Sequence, residues 1–528
     1  MSGVAEAQQP SLISKLFRTK NLDKILTDAE NQEHKLKRTL SAFDLVIFGV
    51  GAMIGAGIFV LTGAAAAGSV GHPGAGGALT LSFMLTGIVC SFCALCYSEF
   101  AAMAPISGSA YTYAFSTMGE FVAWIIGWAL VLEYAVGNMA VAVGWTGSVK
   151  EFMIQNFNIT LPATLTSNML DTVESLEQVK DPSILINAFP FTIPFSDTSM
   201  YLLLQSAFNL PAFIIVACMT LLLIVGVSES ARSAAVMVFI KTGVILLFIG
   251  AGALFLFGGN MHVLEHNWFA DGWNSFAPNG FEGIKTGAAT IFFAYIGFDA
   301  VSTAAEETKN PQRDIPIGII GSLILCTILY ILVTTVITGI VPLNEINKEA
   351  AVVGAMNFMG YPWATFVVGI GAIAGLTSVL LVLQMAGTRI FYAISRDGLL
   401  PEALSKIHPK FQTPHICTIM VGIFVALGAG LLPINLLAEM CNIGTLGAFI
   451  VVCLGITILR FSDPDRERPF KVPFGLTFPL IGMLGCIYVM SGLPMVTWVV
   501  TIGWFLLGMA LYFGYGFWNS KLNQELPS

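Results

Sequence analysis

The stretch Gly49-Val50-Gly51-Ala52-Met53-Ile54-Gly55-Ala56-Gly57-Ile58-Phe59 sets four glycines among nine residues, inside an apolar run long enough to cross a bilayer. Glycine is a poor helix former and leaves main-chain groups uncovered, so this density argues that a membrane helix opens here. Backbone freed at membrane depth is tolerated only where it is buried in protein or lines a wet cavity. A second reading stands beside the first: Gly51 and Gly55 form a Gly-x-x-x-Gly pair, the pattern of close helix packing.

The rest of the chain bears on that choice. At 528 residues, 56% hydrophobic and 11% charged, the protein is too apolar for a soluble chain of its length and is an integral membrane protein. A nucleic-acid partner is excluded on the same ground. The nine cysteines lie in apolar segments and read as small core residues, so neither a disulfide framework nor a metal site is expected, and no cofactor. An intramembrane enzyme is disfavoured, because there is no His-Glu-x-x-His pattern and no histidine in a central span.

Apolar runs of about twenty or more residues, the length that spans the hydrocarbon core, fall near 42–68, 75–104, 119–149, 199–226, 232–258, 284–305, 315–341, 357–392, 414–432, 436–460, 474–493 and 495–518. Twelve spans put both ends on one side. With that side inside, inner segments hold 19 Lys and Arg and outer segments hold four, so both termini are expected in the cytoplasm. Residues 1–40 form a basic cytoplasmic segment with an amphipathic helix over 11–40. The acidic segment 152–198 is an outer loop in which Thr166 to Val179 are expected to form one short helix. Residues 519–528 are the inner tail.

The sixth run, Ala288-Ala289-Thr290-Ile291-Phe292-Phe293-Ala294-Tyr295-Ile296-Gly297-Phe298-Asp299-Ala300, also carries a glycine and an acid near its middle. Spans one and six are five apart, so a second set of five would lie inverted relative to the first. Paired interruptions at matching places in inverted halves are the best sequence pointer to a transporter's central site. They favour a true break at Gly49 to Phe59.

Several stretches carry a family likeness: Gly55-Ala56-Gly57-Ile58-Phe59, Phe293-Ala294-Tyr295-Ile296-Gly297-Phe298-Asp299, Ala305-Glu306-Glu307-Thr308-Lys309-Asn310-Pro311, Ser395-Arg396-Asp397-Gly398 and Arg468-Pro469-Phe470-Lys471-Val472-Pro473. The chain from about 35 to 518 resembles the amino acid, polyamine and organocation superfamily, in the bacterial form of its cationic amino acid transporter branch. The resemblance implies an all-α polytopic membrane protein of 12 transmembrane helices. Its first repeat is 41–258 and its inverted second repeat 284–460, with 474–518 outside the five-plus-five core and helices 1 and 6 discontinuous. It also implies secondary active transport by alternating access in the cell inner membrane, with the lipid bilayer and an L-amino acid as partners. A monomer is the working expectation.

Residue physics gives the site. The half of span one that resumes near Gly57 would aim its N–H groups at a carboxylate, using Ile54, Gly55, Ala56 and Gly57. The carbonyls of Phe293, Ala294 and Ile296 would face the ammonium. The likeness makes Phe298 the aromatic gate. Lys241 stands about ten residues, or roughly 15 Å, into the fifth run. A lysine at that depth needs a partner. The family likeness has it replace the cation of sodium-coupled relatives, its ammonium approaching carbonyls ahead of Gly55 with Thr377 and Ser378 nearby. Glu133, near the centre of span three, is either a proton-coupling carboxylate or a structural carboxyl. Glu99, Asp44, Glu120 and Asp299 read as inner-gate or capping groups, with Glu306, Glu307, Arg313 and Arg389 as candidate partners. The expected activity is proton-coupled uptake of small or neutral L-amino acids. A cationic amino acid carrier or exchanger is the alternative, and a non-transporting sensor a third.

Overall fold

The computed structural model describes residues 16–19, 38–68, 73–103, 109–173, 176, 179, 181–192, 199–225, 231–411 and 413–524. Most of the amphipathic segment expected over 11–40 lies outside them.

Helix α1 (Ala42–Met53) begins on a capping box: Asp44 N–H donates to Ser41 Oγ at 3.4 Å, and Ser41 N–H donates to the Asp44 carboxylate at 2.8 Å. It stops at Met53, because Ile54 turns extended with ψ 99°. The chain passes Gly55 and Ala56, resumes as a π-turn at Gly57–Leu61, and continues as α2 (Thr62–Ala67), bent 45° from α1. The first run is therefore two half-helices. After α3 (Leu79–Met103), a third helix reads as α4 (Glu120–Val131) and α5 (Gly137–Phe157), joined through a π-turn at Leu132–Val136.

The outer segment departs from expectation. Thr166 closes a four-residue helix, Ala163–Thr166, and the chain then forms strand β1 (Leu170–Val173). With β2 (Leu185–Thr192) and β3 (Ser199–Gln205) it makes a three-stranded antiparallel sheet in the order β1-β3-β2. Pro190, which lacks an N–H, sits on the edge strand β2. The fourth apolar run thus begins as a strand, and its helix α6 (Leu210–Val225) has only 16 residues.

Helix α7 (Ala231–Phe255) carries Lys241. The sixth run breaks as the first does. Helix α8 (Gly280–Ile291) tightens to a 3-10 turn at Phe292–Tyr295, becomes extended at Ile296, and turns at Gly297 with φ +114° before α9 (Ala300–Thr303). Then follow α10 (Pro311–Ile340), α11 (Ala351–Phe358), α12 (Pro362–Arg396), α13 (His415–Leu431), α14 (Ile434–Ser462), α15 (Thr477–Met490) and α16 (Met495–Leu511). Among the described residues eight helices are long and apolar enough to cross a membrane, nine with the bent pair counted as one, and three more apolar helices have 14 to 17 residues.

Residues 53–66 around the first break and 286–302 around the second are buried without interruption. Both interruptions therefore sit inside the bundle. Helix α10 packs along α1 and α3, and α12 packs on α5 and α7, which closes a cage around them. At the expected inner face the two broken helices are tied together by backbone: Thr39 and Leu40 donate to Glu307 O at 2.8 and 3.0 Å, and Lys309 donates to Leu40 O at 2.9 Å.

The expected inner partners are replaced by others. Fully buried Glu99 accepts from Arg460 at 2.6 Å and from the Val472 N–H at 2.7 Å, with Arg468 Nε at 3.3 Å, so its partners come from the end of α14 and the loop beyond. Asp44 caps its own helix, Glu120 accepts from the hydroxyls of Tyr512 and Ser520, and Asp299 accepts from Tyr134 at 3.0 Å. The side chain of Glu306 lies outside the described residues.

Candidate functional site

A helix that stops leaves its last carbonyls without intrahelical donors, and one that restarts leaves its first N–H groups without acceptors. In a membrane interior each such group costs several kcal/mol unless something else engages it. The two breaks can be read as that accounting problem. Lys241, fully buried, donates to Gly51 O and, at 3.1 Å, to Ile54 O. Its ammonium thus lies on the carbonyls at the broken end of α1.

Tyr330 of α10 takes the next two. Its hydroxyl lies 2.9 Å from Met53 O on the first broken helix and 2.9 Å from Ala294 O on the second. A phenol has a single proton to donate, so the two carbonyls share it. Asn442 of α14 covers the second break from behind, donating to Ala289 O at 2.8 Å and Thr290 O at 3.3 Å. Lys241, Tyr330 and Asn442 together satisfy six main-chain carbonyls on the two interrupted helices.

The breaks approach each other closely. A methyl group at Gly57 would stand 2.3 Å from Ala294 Cα, and one at Gly297 would stand 3.0 Å from the Ala52 carbonyl carbon. Only glycine allows both contacts, and Gly297 also needs its positive φ.

A cavity of about 20 Å³ lies at this junction. That is room for a water and not for an amino acid. Its edge is main chain at Gly55, Ala56 and Gly57, with Phe293 and Ile296 across from them. Aliphatic and thiol groups of Val141, Val379, Leu383 and Cys441 make one wall, and Glu133 enters from the π-turn of the third helix. Both Glu133 carboxyl oxygens are buried without a hydrogen-bond partner. An extra residue in a helical turn re-aims the side chains around it, and such π-turns occur often at functional sites.

Gly55, Ala56, Gly57, Phe293, Ile296 and Glu133 therefore meet around one cavity. Ile54 and Ala294 stand behind it, their carbonyls engaged by Lys241 and Tyr330. Phe298 does not line the cavity. The turn at Gly297 sends its ring into an aromatic cluster, 5.0 Å from Phe449 and 6.0 Å from Tyr97 between ring centres, and the phenylalanine at the cavity is Phe293. The Thr377 hydroxyl accepts from Trp145 Nε1 at 3.0 Å and donates to Ile373 O at 2.8 Å. Ser378 is buried on the same helix. What α12 presents to Lys241 is Gly375, where a methyl would stand 3.4 Å from Lys241 Cβ. Tyr330, Asn442 and Gly375 were not identified from sequence. Their only signal there is a polar group or a glycine inside an apolar run.

The sequence profile of the amino acid permease family matches residues 40–516. The branched-chain amino acid permease BcaP of Bacillus subtilis (strain 168) is 41% identical over 510 residues, covering 96% of this chain and 99% of that protein. The methylthioribose transporter of the same organism is 40% identical over 512 residues, covering 97% and 100%. The vacuolar cationic amino acid transporter 4 of Arabidopsis thaliana is 35% identical over 454 residues, covering 86% of this chain and 68% of its own. By this match along almost its whole length, the chain belongs to the amino acid permease family.

Proposed function

We propose that the protein is a proton-coupled importer of neutral L-amino acids with small or branched aliphatic side chains, working by alternating access in the cell inner membrane with both termini cytoplasmic. The observation that carries this reading is the pairing of the two helix breaks around one cavity, lined by Gly55, Ala56 and Gly57 of the first and by Phe293 and Ile296 of the second. On this reading the restarting half of the first helix takes the carboxylate of a zwitterion and the end of α8 its ammonium. Substrate selection then falls to the aliphatic wall of Val141, Val379 and Leu383, which accepts a branched chain by contact alone. The relative named as a branched-chain permease supports the same class.

Twelve spans in a five-plus-five inverted arrangement belong to this proposal. The eight long helices, one bent pair and three shorter apolar helices make up that number. Lys241 acts as the resident cation, and Glu133, with Asp299 beside it, as the proton acceptor. The second reading, a carrier of cationic amino acids, is favoured by Glu133, whose carboxyl oxygens could receive a guanidinium or ammonium, and by the relative named as a cationic amino acid transporter.

Uptake of labelled leucine into proteoliposomes, competed by valine, alanine and arginine at two pH values with and without sodium, tests both. The proposal expects competition by valine, none by arginine, acceleration by an inward proton gradient and indifference to sodium. Lys241→Met should abolish gradient-driven uptake while leaving substrate binding measurable. Full proton-driven accumulation by that variant removes the coupling role.

A further inference from the structure

Three buried polar side chains fall along one side of α14. Glu439, Asn442 and Thr445 stand at steps of three residues, about 4.5 Å apart along the axis. Glu439 is five residues into α14, at the end where α16 also begins, and it accepts from the hydroxyl of Thr497. One turn further along α16, about 6 Å on, the Thr501 hydroxyl is 3% exposed and has no partner. Asn442 spends its amide on α8, and its carbonyl oxygen has no partner. Thr445 follows, fully buried, where α14 packs on the π-turn of the third helix: Cys441 Sγ lies 3.4 Å from Glu133 O, and a methyl at Gly444 would stand 2.9 Å from Leu132 Cβ. Glu133 is next, and Asp299, Tyr97, Tyr134, Cys441 and Thr445 face it.

Unsatisfied buried polar atoms are rare, and each costs about 1–3 kcal/mol unless a water or a proton serves it. Here Thr501 of α16, Asn442 of α14 and Glu133 of the third helix carry such atoms. We infer that this line is a proton route from the outer side to Glu133, separate from the path of the amino acid. The inference rests on the proton-coupled reading above. Glu439 takes a proton from outside water. Waters held by Asn442, Thr445 and Thr501 relay it, each oxygen accepting one proton as it hands on another. One proton thus leaves Glu439 for each that arrives at Glu133, with no change in oxidation state.

Thr501→Val is the discriminating variant, since it removes a hydroxyl that bonds nothing in the protein and keeps the shape. A structural role predicts no change. The route predicts at least a tenfold slowing of proton-driven leucine uptake, and of the accompanying acidification reported by a trapped pH dye, with leucine counterflow in the absence of a gradient within twofold of wild type. Glu439→Gln should do the same. Wild-type gradient-driven rates in both variants would overturn the route and leave proton coupling standing. A wild-type protein that shows no gradient-driven uptake would instead remove the coupling reading, and the route with it.

Discussion

Replacing Gly57 by alanine tests the junction of the two breaks at its tightest point. The added methyl would meet Ala294 Cα at 2.3 Å, its Cβ at 2.5 Å and its N at 2.6 Å. All three atoms are main chain or bonded directly to it, so no rotamer change relieves the contact. Reaching an ordinary van der Waals separation of 3.4 Å needs a displacement of about 1.1 Å of one broken helix against the other. Overpacking of this kind costs about 1–3 kcal/mol. If that strain falls on the closed, substrate-bound arrangement, affinity drops by roughly 5- to 100-fold.

The measurement is equilibrium binding of leucine to purified protein, by calorimetry or thermal shift, followed by uptake in proteoliposomes. Gly243→Ala on α7 is the matched control, because a methyl there meets nothing within 4 Å and helix content is unaffected. The expected result is weakened binding for Gly57→Ala with the control unchanged. Wild-type affinity in Gly57→Ala would refute the reasoning, for it would mean that the two breaks need not touch when substrate is held.

Tyr330→Phe withdraws the one proton shared by Met53 O and Ala294 O, and should destabilise the protein by about 1–3 kcal/mol. A lowered melting temperature with weakened leucine binding is expected, and an unchanged melting curve would count against the carbonyl accounting. Glu99→Gln leaves Arg460 and Arg468 without their carboxylate at a fully buried position, where breaking one partner of an ion pair costs about 3–5 kcal/mol. Reduced yield and thermal stability are expected, and the double change Glu99→Gln with Arg460→Met should recover part of the loss.

The features legible in the sequence were those that a single run betrays. Glycine at 55, 57 and 297 marks a break because its backbone preference travels with the residue and needs no partner. Lys241 stands out because a charge in an apolar run has to be answered. Other features depend on distant chain. Tyr330 is one of 12 tyrosines, and only the fold brings its hydroxyl between residues 277 and 36 positions away. Arg460 reaches Glu99 across 361 positions. Phe298 follows the turn at Gly297, and its ring packs on Phe449 and Tyr97, contacts that no run of sequence around it displays. The outer sheet was hidden because Met200-Tyr201-Leu202-Leu203-Leu204 reads as continuous with the apolar run of α6, though its aromatic and aliphatic residues suit a strand equally.

The carbonyl accounting also constrains how the cavity must open. Across the Gly57–Ala294 contact the walls are backbone on backbone, and the Ala52–Gly297 contact is of the same kind, so neither yields by side-chain motion. The rest of the lining is side chain, Val141 of α5, Val379 and Leu383 of α12 and Cys441 of α14, and Val379 already stands 3.2 Å from where a methyl on Gly55 would be. Space for a leucine is therefore expected from these helices, α12 among them, shifting against the paired breaks. The same helix presents Gly375 to Lys241, whose ammonium holds the broken end of α1. Any displacement of α12 consequently alters the packing around that ammonium, and through it the carbonyls of Gly51 and Ile54. If proton coupling operates as proposed, α12 is a helix through which substrate entry and the Lys241 ammonium would be linked, because it packs on both the cavity and Lys241.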